Sequence, residues 1–311
     1  MKPAGAGAVL ALVLACAAPD AWAKDPPTAP AFTPKGADTC LKCHDEDSKF
    51  PVVDIFKTPH GQRADARTPF AQLQCESCHG AGAEHARKKP VGDPQGPIRT
   101  FGARVATPSA EQDGACLQCH AGSSRTHWGG SAHESANVPC AACHTVHAPT
   151  DPVRAAGAQT EVCGACHARE RAASLTASAH PLRDARMRCS DCHAPHGSTG
   201  DALLAGSSVN DTCYTCHADK RGPFLWEHAP AAEDCTLCHA AHGSGHRGML
   251  VQRPPLLCQQ CHTQAGHPSL ALTPSGLASG APSAFLLING CANCHSQVHG
   301  SNHPSGADLG R

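Results

Sequence analysis

The chain has 311 residues with a formal charge of −1, only 4% aromatic side chains, 26 Pro and 29 Gly. Such a composition is a poor basis for a conventional core, because too little apolar area is available to offset the entropy of ordering the backbone. The near balance of 25 basic and 26 acidic residues excludes any strong electrostatic case for nucleic acid or an anionic membrane surface as partner.

In chain order, residues 1–23 read as a secretory signal: Lys2 is the positive start, Ala8 to Ala18 the apolar run and Ala21-Trp22-Ala23 the cleavage site, so the mature chain is expected to begin at Lys24. The run is too short to span a bilayer. A competing reading makes Val13-Leu14-Ala15-Cys16 a lipoprotein box with Cys16 acylated; the A-x-A site is the better match. Residues 24–37 form a Pro-rich leader, expected to be extended.

The chemistry lies in residues 38–307. Of the 21 Cys, all but Cys16 fall in ten copies of Cys-x-x-Cys-His. The cysteine pairs are Cys40 and Cys43, Cys75 and Cys78, Cys116 and Cys119, Cys140 and Cys143, Cys163 and Cys166, Cys189 and Cys192, Cys213 and Cys216, Cys235 and Cys238, Cys258 and Cys261, and Cys291 and Cys294. Disulfides, zinc and redox dithiols do not need the residue after the second Cys. With 23 His in the chain, His standing there ten times by chance has odds on the order of 10⁻¹². The string is the attachment signature of haem c, in which two thiols add to the porphyrin vinyl groups and the next imidazole ligates iron. Ten haem c groups follow, with proximal ligands His44, His79, His120, His144, His167, His193, His217, His239, His262 and His295.

The motifs repeat in pairs, each unit running motif, spacer with one His, motif, trailing His. Five two-haem repeats result, over 38–85, 116–147, 163–196, 213–242 and 258–303. They nominate ten distal ligands: His60, His85, His133, His147, His180, His196, His228, His242, His267 and His299. His127, His246 and His303 are left over; His127 competes with His133, and His303 with His299. His196 follows His193 by three residues, a span of at most about 10–11 Å. That is too short to reach round one porphyrin, so His196, and likewise His147 and His242, must serve another haem.

Only Met187 and Met249 remain as alternative sixth ligands in the mature chain. Bis-histidine iron sits at low potential and has no open position for substrate, so no catalytic residue is assigned and an electron-transfer protein is expected. A multihaem reductase of a small nitrogen or sulfur oxyanion is the other reading.

The remaining chain predicts short helices around the motifs, irregular connections and little or no β-structure. Ala86 to Gly114 reads as the main internal linker, with Arg87-Lys88-Lys89 as a solvated basic run. Leu270 to Gly290 is an apolar insert expected to pack on haem, Trp128 and Trp226 are expected at haem edges, and Asp45-Glu46-Asp47 is read as solvated surface.

Several local strings then carry a resemblance: Phe56-Lys57-Thr58-Pro59-His60-Gly61, Cys75-Glu76-Ser77-Cys78-His79-Gly80, the Cys-His-x-x-His units, and Cys291 to His295 followed by His299-Gly300-Ser301-Asn302-His303-Pro304. With the motif count they resemble the periplasmic decahaem cytochromes of the MtrA/DmsE family, from Thr39 to about Ala307. The resemblance implies an elongated haem wire inserted from the periplasm into an outer-membrane β-barrel porin. It would exchange electrons with a periplasmic or inner-membrane-anchored cytochrome on one side, and with an extracellular multihaem cytochrome or terminal reductase on the other. A free periplasmic shuttle is the milder variant.

Overall fold

The computed structural model describes residues 29–48, 52–262 and 290–310. The signal segment with Cys16, the spacer histidine His267 and the apolar insert as far as residue 289 lie outside the described residues.

Short helices are strung along an otherwise irregular, elongated chain. In order they are α1 (Ala37–Cys40), α2 (Glu76–His79), α3 (Ser109–His120), α4 (Ala132–Ser135), α5 (Ala156–Gly164), α6 (Ala168–Ser174), α7 (Val209–Tyr214) and α8 (Ala229–Glu233). Single 3-10 turns at Cys140–Ala142, Cys189–Asp191, Cys235–Leu237, Cys258–Gln260 and Gly290–Asn293 carry other motifs. Among the described residues β-structure is limited to four isolated bridges, Ser178 with Ser244, His193 with Leu204, Trp226 with Ser301 and His239 with Leu250.

Local sequence explains the helix starts. The Ser131 hydroxyl accepts the Glu134 N–H at 3.2 Å ahead of α4, and the Ser208 hydroxyl accepts the Asp211 N–H at 3.0 Å ahead of α7. Each satisfies a first-turn N–H that has no partner within its helix. Gly80, with φ of +79°, ends α2.

Among the described residues the buried apolar side chains are Ala37, Phe70 and Trp128 alone. A core of three residues cannot hold this chain together by apolar burial. A continuous cavity of about 5460 Å³ instead runs along the molecule, lined by residues from Thr39 to Leu309 that include every motif. Shared among ten motifs, this is about 550 Å³ each, within the range of about 300–1,000 Å³ of ordinary ligand pockets. The interior is shaped for a large apolar guest.

The 86–114 segment does more than link. The Arg99 guanidinium donates to the Cys78 carbonyl oxygen at 2.6 Å, the Arg99 carbonyl oxygen lies 2.8 Å from His79 Nδ1, and the Phe101 ring meets the His79 ring edge-on. It joins the first unit to the second. No helix of the described residues is long and apolar enough to cross a membrane.

Candidate functional site

Each described motif is one helical turn. The His N–H bonds the carbonyl oxygen of the first Cys four residues earlier, for example His44 to Cys40 at 3.0 Å, His193 to Cys189 at 3.0 Å and His295 to Cys291 at 2.9 Å. Positions i, i+3 and i+4 share one side of such a turn, so both thiols and the imidazole face the cavity together.

The thiols also report which motifs are neighbours. The first cysteines of paired motifs are close enough to perturb each other's ionisation: Cys40 and Cys75, Cys116 and Cys140, Cys163 and Cys189, Cys213 and Cys235, and Cys258 and Cys291. The neighbouring Cys75 thiol lowers Cys40 to about 7, while burial raises Cys213 to about 11. Between pairs, Cys78 feels Cys116 and Cys119, Cys143 feels Cys166, Cys192 feels Cys213, and Cys238 feels Cys261. The motifs are therefore arrayed in chain order, alternating between two kinds of junction.

Among the described residues nine histidine pairs face each other across the cavity. Their ring centroids stand 6.4 Å apart for His44 and His85, 5.9 Å for His60 and His120, 6.1 Å for His79 and His147, 6.1 Å for His133 and His167, and 5.9 Å for His144 and His196. The distances are 6.4 Å for His180 and His217, 6.0 Å for His193 and His242, 6.1 Å for His228 and His262, and 6.1 Å for His239 and His299. An imidazole nitrogen about 2 Å from a metal puts its ring centroid about 3 Å away, so two trans ligands stand about 6 Å apart. The rings are spaced for one iron between each pair, and the flanking thiols and apolar walls fit a porphyrin.

The pairing follows a rule of exchange between units. The spacer histidines His60, His133, His180 and His228 face the first motif of the next unit, while the trailing histidines His147, His196, His242 and His299 face the second motif of the unit before. Nδ1 contacts fix the ring tautomers. His133, His180 and His228 meet the carbonyl oxygens of Pro195, Ala241 and Val298, each the residue just before a trailing histidine, at 2.9, 3.1 and 2.9 Å. His193 and His239 meet those of Ala202 and Gly248 at 3.0 and 2.8 Å, and His85 that of Gly96 at 3.0 Å. An Nδ1–H donated to a carbonyl leaves the Nε2 lone pair free for a metal. His144 differs, its Nδ1 meeting the Asp151 carboxylate at 2.6 Å.

Burial pushes His60, His79, His147, His196, His242 and His299 below the ordinary imidazole value. That favours the neutral form, the one that ligates.

A multihaem cytochrome of Shewanella baltica, "Multiheme cytochrome MtrA", is 46% identical to this chain over 282 residues, covering 90% of the chain and 83% of that protein. The chain belongs to the MtrA family of multihaem cytochromes. It is an electron-transfer protein, and its Cys-x-x-Cys-His motifs bind haem c. "Cytochrome c-type protein NrfB" of Haemophilus influenzae is 30% identical over 149 residues, covering 42% of the chain and 65% of that protein. The family described as "Cytochrome c-type protein NrfB-like" matches residues 75–160. "Doubled CXXCH motif" matches residues 180–222 and 228–267. That doubling is cut one motif out of phase with the cysteine pairs, as a continuous array allows.

In this MtrA-family chain, the residues that sequence reasoning missed are polar groups tying the motifs of a unit together. Asp113 Oδ1 accepts the Cys140 N–H at 2.8 Å, Gln159 Oε1 the Ser190 N–H at 2.9 Å and Asn210 Oδ1 the Cys235 N–H at 2.8 Å. All three acceptors are buried, three or four residues ahead of a first motif. The buried Glu76 carboxylate, inside a motif, takes the Thr33 N–H at 3.0 Å, the Thr33 hydroxyl at 2.8 Å and the Gly82 N–H at 2.7 Å, fastening the leader end to the array.

Glycine after a trailing histidine was also missed. Gly197, Gly243 and Gly300 follow His196, His242 and His299 with φ of +113°, +123° and +131°. A Cβ on them would lie 2.0 Å from the His127 carbonyl oxygen, 2.5 Å from that of Ala173 and 2.3 Å from the Phe224 ring.

The other singled-out residues take structural places. Trp128 Nε1–H donates to Asp113 at 3.1 Å and the ring lies edge-on to His196, while Trp226 Nε1–H donates to the His303 carbonyl oxygen at 3.0 Å. His303 Nδ1 accepts the Ser305 N–H at 3.2 Å, a role that leaves the proton on Nε2.

Proposed function

We propose that the protein conducts electrons between the periplasm and the cell exterior, across the outer membrane, within a β-barrel porin. A periplasmic or inner-membrane-anchored cytochrome serves one end, and an extracellular multihaem cytochrome or terminal reductase the other. The cysteines of the ten motifs carry the thioether bonds, the motif histidines are the proximal ligands, and the histidine facing each across the cavity is the distal ligand. Each haem supplies an iron that takes up and releases one electron.

The observation that carries this reading is the exchange of histidines between units. Every inner unit lends a ligand to the unit before and the unit after, so no two-haem repeat closes on itself and the chain is built as one conductor. In the first unit the trailing histidine stays at home, His44 facing His85. His267, the one repeat-nominated distal histidine not among the nine pairs, is the proposed partner of His295. The Nδ1 role of His303 argues against that residue as the alternative.

Saturation of the irons is what a conductor needs, since an open position invites side reactions with small molecules. The test is reconstitution of the holoprotein with an outer-membrane β-barrel in liposomes that enclose a reduced viologen, with ferric citrate outside. Oxidation of the enclosed dye only when both proteins are present supports the conduit. A protein that stays soluble and monomeric beside the barrel, and moves no electrons across the bilayer, is a periplasmic shuttle instead.

A further inference from the structure

The second-motif histidines of the five units invite comparison, because the repeat gives them equivalent places. His79, His193, His239 and His295 all turn Nδ1 to a backbone carbonyl oxygen, those of Arg99, Ala202, Gly248 and Asp308. His144 alone meets a carboxylate, Asp151 Oδ2, at 2.6 Å. The other carboxylate oxygen accepts the Thr145 N–H at 3.2 Å, so the group is held from two sides. The Asp151 side chain is 18% exposed and the His144 side chain 34%. No Lys or Arg of the described residues shares the carboxylate in an ion pair.

A carbonyl oxygen and a carboxylate act differently on an axial imidazole. The carboxylate draws the Nδ1 proton toward itself and gives the ring anionic character, which makes Nε2 the stronger donor. Oxidised iron carries one more positive charge than reduced iron, so a fixed negative charge behind its ligand favours the oxidised state. Partial burial strengthens that preference, since little water screens it.

We propose that Asp151 is a positioning residue that lowers the potential of the haem attached at Cys140 and Cys143 below those of its neighbours. The inference rests on the ligation proposed above. It places a step at the junction of the second and third units, immediately before the turn Pro152–Arg154 that leads into α5 and its Cys163. Electron passage there is Fe(III) plus one electron to Fe(II), the electron arriving from a haem on one side and leaving to the haem on the other. Nδ1 keeps its proton throughout, and no covalent bond forms or breaks.

The test is a spectropotentiometric titration of the full holoprotein. Asp151→Asn keeps the shape and one oxygen that accepts from His144 Nδ1–H, but removes the charge and gives up the Thr145 N–H. One tenth of the haem absorbance change should leave the low-potential end of the curve, on the order of tenfold in the reduction equilibrium, which is 59 mV for one electron. Asp151→Glu, which keeps the charge, should titrate with the unsubstituted protein. A D151N curve that superimposes on the unsubstituted one, with ten low-spin haems present, overturns the proposal. Should D151N come off with nine haems, D151S is titrated in its place, and the same upward shift is required of it. Failure of the ligation reading would show earlier and elsewhere, as high-spin haem in the unsubstituted protein.

Discussion

His196 faces His144 with ring centroids 5.9 Å apart, although it follows His193, its nearest motif histidine, by three positions. His193 in turn faces His242 of the next unit. The same backbone turn thus holds one ring for its own motif and presents another to the motif before it. Stability and function are coupled through such turns, and the consequences can be measured.

Removing one facing ring should open one iron and leave the rest untouched. His196→Ala is expected to give a protein with ten haems that binds one CO per molecule when reduced, because the Cys140–Cys143 haem loses its sixth ligand while its thioether bonds remain. A CO-difference titration checks the stoichiometry. The unsubstituted protein should bind none.

Ring orientation predicts two classes of ferric spectrum. Five pairs are near parallel, with interplanar angles of 17°, 17°, 23°, 21° and 12°. Four are tilted or crossed, at 64°, 54°, 78° and 49°. Parallel imidazole planes split the iron d orbitals that π-bond to them, and crossed planes restore near-degeneracy and with it a large g anisotropy. Electron paramagnetic resonance of the oxidised protein should show both signals, with the ordinary rhombic signal the larger.

The glycine after a trailing histidine should not tolerate a side chain. Gly197→Ala demands a left-handed φ of an L residue and sets a Cβ 2.0 Å from the His127 carbonyl oxygen. The expected loss is about 1–3 kcal/mol for the backbone conformation, with the clash adding to it. Thermal melting followed at the Soret band should fall by about 2–4 °C for each kcal/mol lost. Gly114→Ala, where nothing lies within 4 Å of the new carbon, is the control.

Loss of a polar tie within a unit should cost comparable stability without touching a ligand. Asn210→Ala leaves the Cys235 N–H without its acceptor and removes a donor to the Ala231 and Ala232 carbonyl oxygens. The expected cost is about 1–3 kcal/mol, read as a lower melting temperature with all ten haems still attached.

Much of this architecture was legible because haem attachment imposes its own spacing. Ten motifs each form a helical turn whatever surrounds them, since Cys, Cys and His must share one side. The spare histidines were legible as a set, and chain reach excluded His193 as the partner of His196. That His196 would face His144 was not legible, because the choice depends on how units stack and not on local pattern. Gln159 and Asn210 were missed for a related reason. Each sits in an ordinary polar position, and only the fold shows the N–H groups of Ser190 and Cys235 arriving above them. The prolines of the 86–114 segment predict a linker, yet the segment forms a loop that hands carbonyl oxygens to His79 and His85. Asp151 was invisible in sequence because a carboxylate before Pro152 looks like turn chemistry.

On the proposed ligation, histidine holds every iron from both faces. Near-infrared magnetic circular dichroism of the oxidised holoprotein tests it most directly, because the energy of the ligand-to-metal band separates bis-histidine haem from histidine–methionine haem, and high-spin haem gives a band of its own. Bis-histidine intensity equivalent to ten haems per chain is expected. Substantial histidine–methionine or high-spin intensity in the unsubstituted protein would contradict it.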